Sequence, residues 1–267
     1  MRAARGGAWQ WQRGRGAGVS GVRPLSLGVA DGKVLSSVPS DITVAADTPL
    51  VGGLGAAGLG VRPTRLLQGD LDVETYDLIR QAKALLPWDT ETSGLDWQTE
   101  KLSIVQVAVF GQPVIVQNLE KRPPLLAALL EDPEILKLFH YAMFDLRFMA
   151  HNWDVRPRNV ACTKIMSKLL HTEEDASHSL GPLLERYLGI TLDKDPAVRV
   201  SNWDAPDLTP RQLEYAGNDV LHLPALAEKL EDGLYDKGRW GLATRCFEHL
   251  PTRVELELAG FPDVFTY

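Results

Sequence analysis

Residues 87–97 read PWDTETSGLDW, directly after the apolar run Ala84-Leu85-Leu86. A short apolar run of this kind is a strand candidate bound for the interior. In a strand, residues i and i+2 point to the same face, so Asp89 and Glu91 project together. Two like charges a few ångströms apart repel, and burying them together is unfavourable unless a cation neutralises them. Hard oxygen ligands in a cluster suit Mg²⁺ or Mn²⁺. The triplet alone decides nothing, because Asp-X-Glu suits an exposed turn equally well. Its meaning depends on which other acids join it.

Two later segments offer such acids. LTPRQLEYAGNDVLHL (208–223) carries a helix start signal: Thr209 as N-cap, Pro210 as first helical residue and Gln212 as the reciprocal partner of a capping box. Tyr215 and Asp219 are i, i+4 on that helix and share a face. Leu213, Ala216, Val220 and Leu223 surround them, so part of that face lies close to the core. Pro224 is expected to kink or end the helix. In HYAMFDLRFMAHNW (140–153), Asp145 falls near a helix start among apolar neighbours, where the helix dipole alone would account for a carboxylate.

The rest of the chain sets the frame. Its 267 residues are 45% hydrophobic and 24% charged, a globular composition, with a net charge of −7. That charge argues against binding nucleic acid through a broad basic surface, yet leaves room for a nucleic-acid enzyme whose bound cations oppose it. Cys162 and Cys246 form no CxxC spacing, so neither a disulfide framework nor a zinc site is indicated, and a reducing, cytoplasmic setting is expected. No apolar run approaches the ~18–20 residues of a membrane span, and a soluble chain is the reading. The six histidines show no pairing such as HExxH.

Residues 1–63 read as a flexible Gly/Arg-rich leader. Its arginines and lack of early acids would suit a mitochondrial transit peptide, but glycines at about 1 kcal/mol each relative to Ala oppose the amphipathic helix such a peptide needs. Gly53, Gly55 and Gly58 have GxGxxG spacing without a strand before or a helix after, so a linker explains them better than a nucleotide site. From 64 onward the expected elements are strands at 64–68, 84–91, 102–110 and 113–119, the last two joined through Gly111 and Gln112. Helices are expected at 72–84, 123–131, 132–139, 144–153, 163–171, 179–189 and from about 210. Strands with helices around them indicate an α/β domain with a mixed sheet. The run HTEEDASH (171–178) reads as a solvated loop.

Taken together, DTETSGL, FHYAMFDLRFM and YAGNDV resemble the three motifs of the DEDD 3′–5′ exonucleases, in the tyrosine (DEDDy) branch and closest to the ribonuclease D group. CTKIMSKLL (162–170), LLERYLGITLDK (183–194) and SNWDAPDLTPRQLEYAGNDVLHL (201–223) support this, and the likeness covers roughly 64–235. The resemblance implies a ribonuclease H-like fold and a two-metal phosphodiester hydrolysis. By position, Asp89, Glu91, Asp145 and Asp219 would be metal ligands for two divalent cations, Mg²⁺ or Mn²⁺, and Tyr215 would orient the attacking water. The branch that uses His five residues before the last Asp is not matched, since Glu214 stands there. Leu95 resembles the apolar wedge against the terminal base, backbone around Thr90 and Glu91 would meet the 3′ hydroxyl, and Phe144 would line the same pocket. Trp203 and Gln212 match positions that support the site.

The implied partner is the 3′ end of a single-stranded nucleic acid, RNA ahead of DNA. A DNA exonuclease of proofreading or Werner type is the second reading and a non-catalytic binding module the third. Clustered acids facing phosphates argue against a pure binder. The expected division is a leader at 1–63, an exonuclease domain at 64–249 and a C-terminal tail at 250–267, without the helical nucleic-acid-binding (HRDC) domains of longer ribonuclease D proteins and so with reduced processivity or tRNA specificity. Three departures stand out: Pro87 in the first strand, Tyr141 where the group often has Asn, and Val198–Val200 in place of a Gln/Ser run. Pro cannot donate a ladder hydrogen bond, so the strand is expected to start late.

Overall fold

The computed structural model describes residues 29–30, 33–34, 62–83, 85–172, 176–192, 196–261 and 263–266. The glycine run at 51–60, most of the leader and the acidic centre of the 171–178 run lie outside the described residues. Strands β1 (Val29–Ala30) and β2 (Lys33–Val34) pair antiparallel as a small unit of their own.

From residue 65 the chain builds one six-stranded mixed sheet. In chain order the elements are β3 (Arg65–Gln68), α1 (Val73–Ala82), β4 (Leu86–Thr92), β5 (Leu102–Val109), β6 (Gln112–Gln117) and α2 (Pro124–Glu131). Then follow β7 (Lys137–Phe139), α3 (Ala142–Trp153), β8 (Val160–Cys162), α4 (Thr163–Leu170), α5 (Leu180–Leu188), α6 (Pro196–Arg199), α7 (Pro210–Leu221), α8 (Leu223–Asp236) and α9 (Trp240–Leu258). The strand order is β3-β6-β5-β4-β7-β8. β4, β5 and β6 run as an antiparallel meander, while β3 joins β6 and β7 joins β4 in parallel. Both faces carry helices, the ribonuclease H-like arrangement that the motifs implied.

β5 is buried throughout because it is central and covered on both sides. Its hairpin to β6 turns on Phe110 and Gly111, both at positive φ (48° and 77°), with Val109 opposite Gln112. That is the backbone a two-residue hairpin of matching twist requires, one residue earlier than expected. Pro87 does not delay the strand as expected: β4 starts at Leu86, Pro87 lies opposite Leu138 of β7, and pairing with β5 begins at Trp88.

Two expectations are corrected. Residues 132–139 do not form a helix. Residues 137–139 are a parallel strand between β4 and β8, and Lys137 is wholly buried there with its ammonium donating to the Asp132 carbonyl at 2.6 Å. Buried on both faces, the strand shows no alternation, and its apolar spacing mimics a helix. The boundary at 249/250 falls inside α9, which runs on to Leu258 and is tied to α3 by Arg147–Glu257 at 3.0 Å.

Candidate active site

Three carboxylates meet beside β4. Asp89, Glu91 and Asp219 each offer an oxygen, and these atoms lie within 4.8 Å of one another. β4 supplies two of them on one face. The ladder sets Asp89 opposite Gln106 and Glu91 opposite Ile104, then slips, so that Thr92 pairs with Leu102. This bulge ends regular pairing immediately after the second acid, a common device at the rim of a site.

α7 brings the third. Its start is fixed by the expected capping box, with the Gln212 amide also donating to Ser201 Oγ at 3.0 Å and the Asn202 carbonyl at 3.2 Å. Gly217 lets the helix lie close on the sheet, since a Cβ there would come within 3.2 Å of Thr64 Oγ1 and 3.3 Å of Pro113. Asp219 and Tyr215 therefore face β4. Tyr215 is half-buried and packs on Trp203, ring centroids 6.0 Å apart, and the Trp203 indole N–H donates to the Arg199 carbonyl at 3.4 Å.

Asp145 comes from α3, close enough to be the first of the charges that raise Asp89. It is 2% exposed, one turn into α3, and its Oδ1 accepts from Thr90 Oγ1 at 2.7 Å. Tyr141, at the N-cap of α3, holds a positive φ of 71° that a non-glycine residue adopts at a cost.

Burial and mutual repulsion dominate the electrostatics. Burial first, then Asp145, Asp219 and Glu91, push the Asp89 carboxyl well above its usual range, against a hydrogen bond from Gln106. Burial first, then Asp219 and Asp145, do the same to Glu91, while Arg199 opposes. Burial raises Asp145 to about 7 despite the Thr90 hydrogen bond. The Tyr215 phenol is pushed up by burial and then by Asp219, Glu91 and Asp89, so it stays protonated at neutral pH. Asp89, Glu91 and Asp145 resist ionising together, and the hard oxygens that Asp89, Glu91 and Asp219 bring within 4.8 Å fit a divalent cation with no soft ligand in the group.

The remaining expected residues fall in varied places. The Thr90 side chain is buried and engaged with Asp145. Leu95 is 83% exposed on the loop after β4, which is braced by Trp97 edge-on to His151 of α3 at 5.2 Å. Phe144 is half-buried, stacked on Tyr141 at 6.4 Å and packed on Phe148 at 5.0 Å. Two residues were not anticipated. Gln106 donates to Asp89 Oδ2 at 2.6 Å, and the positive charge of Arg199 eases both Glu91 and Tyr215. The sole sequence signal for Gln106 is an amide within an apolar strand.

A mixed ribonuclease H-like sheet carries, beside its central strands, an acidic cluster whose donors suit a divalent cation. Residues 72–234 match the family described as 3′-5′ exonuclease, and the chain belongs to that family. Ribonuclease D of Zymomonas mobilis is 34% identical over 154 residues, 57% of this chain and 38% of that protein. The chain thus spans well under half the length of the curated ribonuclease D relatives it matches. Brucella melitensis NrnC, solved bound to pGG, is 37% identical with a TM-score of 0.69 over 76% of this chain and 98% of that one. The same protein is also solved with bound Mg²⁺, at 36% and 0.68 over the same shares of the two chains. Escherichia coli RNase D, at 24% identity and TM-score 0.60 over 71% of this chain and 50% of that one, shares the fold.

Proposed function

We propose that the chain is a 3′–5′ exoribonuclease that shortens single strands from the 3′ end, releasing nucleoside 5′-monophosphates by a two-metal mechanism. The observation that carries the reading is the meeting of Asp89, Glu91 and Asp219 within 4.8 Å, with Asp145 drawn in by Thr90. Divalent cations held there would activate water and offset charge on the departing 3′ oxygen. Asp89, Glu91, Asp145 and Asp219 would hold them. Tyr215, protonated by its surroundings, would orient the attacking water rather than remove its proton. Arg199, exposed and beside Glu91, would meet a substrate phosphate. Leu95 would press on the terminal base, and Phe144 would shape the pocket floor.

RNA is favoured because the relatives include ribonuclease D and NrnC bound to pGG. The free thiols of Cys162 and Cys246 suit a reducing compartment such as the cytoplasm. The test is incubation of 5′-labelled and 3′-labelled single-stranded RNA and DNA with Mg²⁺. The reading expects 5′-labelled RNA to shorten stepwise, 3′-labelled RNA to lose its label in the first turnover, and DNA to react more slowly. Loss from the 5′ end, internal cuts or faster DNA hydrolysis would refute it.

A further inference from the structure

Gln106 is 0% exposed in the middle of β5, a strand buried from end to end. A primary amide in that setting is unfavourable unless its polar atoms are satisfied. Only one end is: Nε2 donates to Asp89 Oδ2 at 2.6 Å, while Oε1 finds no partner. The amide direction follows from chemistry, because turning it would set an oxygen against a carboxylate. The two residues are directly opposed in the β4–β5 ladder, so backbone pairing fixes their separation. Among the described residues this is the one side-chain hydrogen bond Asp89 makes. A leucine would fill the same space without an orphaned carbonyl, so packing does not explain the amide. Its contact with Asp89 does.

We propose that Gln106 is a positioning residue for the metal site: by occupying Oδ2 it fixes the Asp89 carboxylate and leaves its other oxygen available to a cation that Asp89, Glu91 and Asp219 would hold. Partners behind a ligand orient it and raise affinity even though they never touch the ion. The inference rests on reading the acidic cluster as a cation site, but not on the identity of the strand it hydrolyses. Thr90 of β4 plays a comparable part for Asp145 of α3, so two of the acids each have a neutral donor from a strand.

The test compares wild type with Gln106→Leu in the full chain, by calorimetric Mn²⁺ titration without nucleic acid, thermal melting without metal, and oligonucleotide turnover across Mn²⁺ concentrations. The proposal expects Mn²⁺ affinity to fall about 10–100-fold. It expects metal-free melting to be unchanged or higher, and the KM for the strand at saturating Mn²⁺ to be unaltered. Should Gln106→Leu fail to fold, Gln106→Met, with similar length and no donor, carries the same expectations. Wild-type Mn²⁺ affinity in a folded variant, with or without a lowered melting temperature, would overturn the proposal and leave Gln106 a packing residue. Gln106-dependent Mn²⁺ binding in a wild type that hydrolyses no RNA would instead sink the proposed function and leave this inference standing.

Discussion

The Thr90 hydroxyl donates to Asp145 Oδ1 at 2.7 Å, joining a strand to a helix 55 residues further along the chain. Because side chains alternate, Thr90 faces away from Asp89 and Glu91. Three consecutive residues therefore supply two acids on one face and the tether of another acid on the opposite one. Thr90→Val keeps the shape and removes the donor. It should cost about 1–3 kcal/mol of stability and slow hydrolysis, whereas Thr90→Ser should restore both. Melting curves and single-turnover rates check this, and a fully active Thr90→Val would remove the tether from the account.

The acids repel one another when no cation lies between them. Glu91→Gln removes one charge from that group while keeping its volume. Metal-free protein carrying it should melt at a higher temperature than wild type at pH 8, yet hydrolysis should fall by at least ~10³-fold, the several kcal/mol a bound cation contributes. Gained stability with lost activity is the expected signature. A variant that is both less stable and active would contradict it.

Tyr215 is held protonated and packed on Trp203. Tyr215→Phe preserves that packing and deletes the hydroxyl. Turnover should drop by roughly 10²-fold or more, while calorimetric Mn²⁺ affinity changes little. Parallel loss of both would show that the hydroxyl serves the metal site instead of the water.

The raised acids predict a pH profile for metal-free protein. Asp89, Glu91 and Asp145 hold protons in the folded state that they release when unfolded, Asp145 up to about 7. Between the unfolded carboxylate range near pH 4 and about pH 7, these three acids bind more protons in the folded state and their contribution to stability falls as pH rises, while buried His140, lowered to about 4, contributes with the opposite sign below its unfolded value of 6.5. Glu231 of α8, raised to about 7 chiefly by burial, contributes with the same sign as the three acids. Saturating Mg²⁺ should remove the share due to the three site acids and leave those of His140 and Glu231, the latter removed by Glu231→Gln. Melting temperature against pH, with and without Mg²⁺, measures both parts.

The site acids were legible because each lies in a local pattern: a strand ending in Asp-X-Glu, a capped helix with Tyr and Asp one turn apart, and a helix start. β4, β5, β6, α1, α3 and α7 declared themselves through periodicity and caps. β7 and β8 did not. Three-residue strands are too short to show a period, and ILKLF around the buried Lys137 reads as helix until its neighbours on the sheet are known. Gln106 and Thr90 became meaningful only with register and helix placement, since their partners are 17 and 55 residues away. Arg199 needed the packing of α6 on α7.

The most direct measurement is hydrolysis of 5′-labelled RNA by protein stripped with a chelator, before and after Mg²⁺ is restored, with Asp219→Ala alongside. The account predicts no shortening without cation, full recovery in wild type on restoration, and none in Asp219→Ala despite an intact fold. Shortening at an undiminished rate in the presence of chelator, or wild-type recovery by Asp219→Ala, would contradict it.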